Sequence, residues 1–205
     1  MSRALKVVVA VVLLAASMVP LWAWANHEPA ADGNDTRGPL DVRRVDVKGT
    51  RVKPKWRVTT YGTWGPQSIW DKGYGLVHLD AFGDEHYDHY ALVRSNGFAL
   101  EASLWRDRKS KDDVRVGALN VARTNKRSFT VRVPLRRLHI PDARLFYRWY
   151  VQTIVVSRSC PRTCFDRAPD DGAVTELVPQ PQPTPSAPPT PSIPPVTPTP
   201  SPSPS

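Results

Sequence analysis

The segment Phe98-Ala-Leu-Glu-Ala-Ser-Leu-Trp105 alternates apolar and polar side chains along its length. A period of two is the repeat of an extended chain, whose successive side chains point to opposite faces; no helix buries it on one side. The pattern predicts Phe98, Leu100, Ala102 and Leu104 on an inner face, with Glu101, Ser103 and Trp105 outside. Ser128-Phe-Thr-Val-Arg-Val133 repeats it with Phe129, Val131 and Val133 inward, and Trp56-Arg-Val-Thr-Thr-Tyr61 with Trp56 and Val58 inward. Leu40–Val47, Gly75–Asp80, His89–Arg94, Val114–Val121 and Phe146–Ser157 read as further strands. In the last, Tyr147, Trp149, Val151 and Val155 share a face. Asn96-Gly97 between two such runs marks a two-residue hairpin. Ile69–Lys72 and Pro141–Leu145 offer one helical turn each, and no amphipathic helix competes. The expected fold is all-β, a two-sheet antiparallel sandwich of Ig-like or jelly-roll type with about eight strands.

Proline sets the limits of that fold. The strand region holds only Pro54, Pro66, Pro134 and Pro141 of the chain's 22 prolines. Thirteen others fall in the last 28 residues, 178–205, together with nine Ser or Thr and no charge. Such a run favours polyproline II and has too little apolar surface to offset its ordering entropy, so a disordered tail is expected. Its hydroxyls read either as O-glycosylation acceptors or as a bare spacer. At the other end, Arg3 and Lys6 precede an apolar run from Val7 to Val19, and Ala23-Trp24-Ala25 follows Pro20. Those are the parts of a secretory signal peptide spanning residues 1–25, and the run is short for a retained membrane anchor. No transmembrane span is expected after cleavage. Residues 26–39 then read as a flexible N-terminal segment and 40–177 as one domain. The expected location is secreted, or the extracellular face of the cell envelope.

Cys160 and Cys164 are the only cysteines. In an oxidising compartment the pair reads as a disulfide turn closing the domain, against free thiols, a redox pair or a metal site. The loop from Leu79 to Tyr90 gathers Asp80, Asp84, Glu85 and Asp88. Four carboxylates in one loop offer a candidate calcium site, because that ion takes six to eight oxygens in adaptable geometry; no cofactor is otherwise expected. The competing reading is an acidic turn in which the carboxylates bind backbone donors. His78, His86 and His89 read as solvated or hydrogen-bonding side chains rather than as zinc ligands. Asp80 and Asp84 as an acid–base pair on a glycoside would be the one enzymatic reading. No Gly-x-Ser-x-Gly or free cysteine supports nucleophilic catalysis. A non-enzyme is expected.

Aromatic residues supply the other candidate site. Tyr61, Trp105 and Tyr150 fall on the polar parity of their strands, and Trp64 and Trp70 follow in a Gly-Pro-interrupted segment. Rings in such places stack on sugars, or else cover a core end and pair across strands. The formal charge is +9, and Arg3 and Lys6 would leave with the leader. Export makes specific nucleic-acid binding unexpected, whereas cell-wall polysaccharide or another anionic envelope polymer suits a basic exported surface. Arg outnumbers Lys 20 to 8, a bias of GC-rich actinobacterial genomes.

Two stretches also carry a family resemblance. Val77-His-Leu-Asp80 leading through Gly83-Asp84 to Asp88-His-Tyr90, with Cys160-Pro-Arg-Thr-Cys164-Phe-Asp-Arg-Ala-Pro169, resembles secreted actinobacterial β-sandwich proteins of uncharacterised function. The first stretch is also similar to the DOMON/family-9 carbohydrate-binding-module superfamily. That resemblance implies a sandwich over about Leu40–Ser157 and a calcium-supported ligand-binding role. The chain departs from it at Ala81-Phe82, where related turns often carry another acid. The resulting expectation is a binding or surface-interaction module for glycans or wall polymers. The alternative is a structural or accessory envelope protein without a small ligand.

Overall fold

The computed structural model describes residues 29–50, 52–141 and 145–178. The expected signal peptide, most of the expected Pro141–Leu145 turn and the expected tail beyond residue 178 lie outside the described residues. The fold is all-β and antiparallel. Its strands are β1 (Ala30–Ala31), β2 (Val42–Thr50), β3 (Lys53–Thr60), β4 (Gly73–Asp80), β5 (His89–Ser95) and β6 (Leu100–Arg106). They continue with β7 (Val114–Asn125), β8 (Ser128–Arg132), β9 (Phe146–Val155), β10 (Cys164–Ala168) and β11 (Val174–Leu177). One helical turn, α1 (Pro66–Ile69), and a 3-10 turn at Leu135–Leu138 interrupt them. Among the described residues no helix is long and apolar enough to cross a membrane.

The strands do not divide into two separate sheets of about eight. They follow one path, β1-β2-β3-β8-β7-β6-β5-β4-β9-β10, with β11 also on β9. The cause is β7. Residues 114–119 of this long strand pair with β6 and residues 120–125 with β8, so the sheet turns a corner without breaking. Its two ends then approach each other, giving a nearly closed, barrel-like sheet. At that seam Asp166 of β10 accepts a hydrogen bond from the Val42 amide, and Thr36 Oγ1 donates to the Phe165 carbonyl at 3.2 Å. Residues from 29 onward, expected to belong to a flexible segment, are therefore built into the fold. Ala30 is part of the core, and Ala31 pairs with Arg44.

Alternation places the core as expected on most strands. Trp56, Val58, Leu104, Phe129, Val131, Tyr147, Trp149 and Val151 are buried inside the sheet. Trp56 and Trp149 meet edge to face from opposite walls, their centroids 6.2 Å apart. That geometry suits the ring quadrupoles and fills the centre with two large side chains. Phe98 is a correction. It stands 92% exposed at a hairpin tip, because Ser95 pairs with Leu100 and leaves a four-residue loop. Asn96 Oδ1 accepts from the Phe98 and Ala99 amides, and this side-chain turn supplants the two-residue one.

Candidate ligand-binding face

The antiparallel register brings four outward rings into one row. His78 of β4 pairs with Tyr90 of β5 on one side and with Tyr150 of β9 on the other. Tyr90 in turn pairs with Trp105 of β6. Directly opposed residues are close enough for their side chains to touch, so four separate strands assemble one surface. Tyr90 and Trp105 stack nearly parallel, with centroids 6.4 Å apart and planes 4° from parallel. His78 stacks on Tyr150 at 4.4 Å. Tyr87 folds down from the 81–88 loop and meets Tyr150 edge-on at 4.6 Å, and the Arg167 guanidinium lies 4.0 Å over the other end of the row at Tyr150.

Polar handles fix the rings. Tyr90 donates its hydroxyl to Asp113 Oδ2 at 2.7 Å, and Trp105 Nε1 donates to Ser103 Oγ at 2.8 Å. Burial first, then the Asp113 carboxylate, raises the Tyr90 phenol well above its ordinary range. Burial likewise holds the His78 imidazole down at about 4, so the row is uncharged at neutral pH except for Arg167. Beside Trp105 runs a groove of about 310 Å³ lined by Leu92, Arg94, Glu101, Ser103, Trp105 and Arg115. Arg94 pairs with Glu101 at 3.3 Å, and Asn96 Nδ2 donates to the same carboxylate at 2.9 Å. A flat apolar ring next to charged groups held in place presents both elements that a polyhydroxylated ligand engages.

The five aromatics singled out in the sequence separate into different places. Trp105 and Tyr150 belong to the row. Trp64 is buried, donates Nε1 to Thr60 Oγ1 at 3.1 Å and packs edge-on against Phe129, so it closes the core. Tyr61 donates its hydroxyl to the Asp32 carbonyl at 2.9 Å. Trp70 is half exposed at another corner, packed over Gly97. Tyr90, Tyr87 and His78 were missed as ring partners. The outward parity of Tyr90 and His78 was readable, but which strands lie side by side, and where the loop carries Tyr87, was not.

The 80–88 loop is an acidic turn tied to protein donors. Asp80 is fully buried; its Oδ2 accepts from Arg148 Nη2 at 2.6 Å and Nε at 3.0 Å, and its Oδ1 accepts from the Gly83 amide. Asp88 accepts from the Ala81 amide at 2.8 Å and from His89 Nδ1 at 2.5 Å. Asp84 pairs with Lys109 at 3.1 Å, and exposed Glu85 reaches Arg148 at 3.5 Å. The lysine hydrogen bond holds the Asp84 carboxyl below its usual range. These four carboxylates are not brought together as one cation cage. Their bonds instead shape the loop that sets Tyr87 on the row. The expected disulfide joins Cys160 to Cys164, the first residue of β10, with Cα atoms 6.0 Å apart.

No protein-family model, curated protein or solved structure matches this chain.

Proposed function

We propose that the protein is an exported, non-enzymatic binding module whose outer β6-β5-β4-β9 face takes cell-wall polysaccharide chains. The row of outward rings ending at the stacked Tyr90–Trp105 pair beside the charged groove carries this reading. Pyranose faces bury C–H surface on such rings while their hydroxyls reach the groove's carboxylate and guanidinium groups. Arg94, Arg115 and Arg167 favour an anionic polymer over a neutral one. The leader-like N-terminus and the uncharged proline-rich tail suit a folded head held at the cell surface.

Retention on purified wall polysaccharide tests the proposal. Wild-type protein is expected to be retained, and Trp105→Ala to lose most of that retention with its melting temperature little changed. Trp70→Ala, which alters an exposed ring elsewhere, is expected to bind as wild type. Equal retention of all three proteins would exclude this face, and no retention at all would favour the accessory envelope role.

A further inference from the structure

A second cluster lies at the seam where the sheet nearly closes. Among the described residues, Asp32, Asp35 and Asp166 form the one group of three metal-ligating side chains whose ligand atoms lie within 4.8 Å of one another. Oxygens bound to a common calcium ion at 2.3–2.6 Å stand at most about 5 Å apart, so the spacing suits one ion. The cluster joins two segments of the chain. Asp32 and Asp35 come from the segment after β1, and Asp166 comes from β10.

Two buried carboxylate oxygens in this region meet no hydrogen-bond donor of the protein. Asp41 is only 2% exposed, and its Oδ1 has no hydrogen-bond donor. Asp32 is 8% exposed; its Oδ1 accepts from the Gly33 amide at 2.9 Å, its Oδ2 meets no N–H donor, and burial together with a carboxyl–carboxyl hydrogen bond to Asp170 raises its carboxyl to about 8. No lysine or arginine among the described residues forms an ion pair with any of these five groups. Burial, followed by the charges of Asp166 and Asp35, lifts the Asp41 carboxyl to about 6, so Asp41 lies within electrostatic reach of the cluster. Buried like charges without a counter-charge are costly, and a divalent cation removes that cost directly.

We propose that Asp32, Asp35 and Asp166 bind a calcium ion. The donors are all hard oxygens with no histidine or cysteine, which disfavours zinc. An irregular arrangement drawn from separate elements suits calcium's variable coordination better than magnesium's strict octahedron. The ion would cross-link the N-terminal segment to β10. The next residue on β10 is Arg167, the cation over Tyr150, so the metal would also steady one end of the aromatic row. That last consequence rests on the binding-face reading; the metal site does not.

Calorimetric titration of the metal-stripped protein with calcium chloride, paired with thermal melts in calcium and in chelator, tests the site. One ion per chain and a melting temperature raised by calcium are expected. Asp35→Ala removes an exposed ligand for which no fold-stabilising hydrogen bond is seen, so it should still fold. It is expected to weaken calcium binding by at least about tenfold. In chelator the same variant should melt higher than wild type, because it relieves repulsion among the carboxylates. Asp32→Asn should show the same inversion, whereas Asp84→Asn in the 80–88 loop should bind calcium as wild type does. Absence of calcium binding, or binding unchanged by both Asp35→Ala and Asp32→Asn, would overturn the proposal. None of these readouts involves polysaccharide, so this site and the aromatic face can fail separately.

Discussion

Gly75 leaves no room for a side chain, since a Cβ there would stand 2.7 Å from Phe129 Cζ. The ring reaches across the interior from β8 onto β4, and its close fit is what a glycine in mid-strand allows. Gly75→Ala is expected to cost about 1–3 kcal/mol through overpacking, read as a lower denaturant midpoint at unchanged slope. Pairing it with Phe129→Leu should recover part of that loss. His78 provides a pH-dependent test at the same scale. Burial lowers its pKa from 6.5 to about 4 in the folded protein. Between those values the unfolded chain takes up a proton that the folded chain refuses. Stability is therefore full above pH 6.5 and falls as the pH drops toward 4, by at most about 1.4 kcal/mol per pH unit. In His78→Gln this part of the pH dependence should disappear. If its melting temperature follows pH as the wild type's does, His78 is not the titrating group.

Among the elements, β10 carries more than its five residues suggest. It closes the seam through Asp166, sets Arg167 on the aromatic row and begins at the disulfide. Loop-closure arithmetic for so short a ring gives about 2 kcal/mol. Replacing Cys160 and Cys164 together with Ser should lower unfolding stability by about that amount and leave the fold intact. The long strands were legible in the sequence because Trp56/Val58, Phe129/Val131 and Tyr147/Trp149/Val151 each repeat the two-residue period on one buried face. By contrast, β1 and β11 have two and four residues, too few for a period to register. Phe98 fits the alternation of β6, yet the Asn96 side-chain turn carries it out of the strand. The candidate site was legible only as parity: Trp105 and Tyr150 point outward, but their union with Tyr90 and His78 depends on strand order. The seam carboxylates were harder still. Thr36 and Asp166 are 130 residues apart in the chain, and only closure of the sheet brings that region together.

On the scale of the whole molecule, the fold separates two tasks between its seam and its outer face. The seam decides whether the sheet closes; the outer face presents rings, and arginines flank them. The excess of positive charge adds a nonspecific attraction for anionic polymers that salt should weaken, because the screening length is about 8 Å at physiological ionic strength. Retention of the wild type should therefore fall as salt rises, and the residue that survives high salt should depend on Trp105. The most direct test of the aromatic face is a titration with soluble wall-derived oligosaccharide, following indole N–H resonances. The Trp105 signal is expected to shift and saturate, while those of the buried pair Trp56 and Trp149 stay in place. A saturable interaction that leaves the Trp105 resonance unmoved would contradict the assignment of ligand binding to this face.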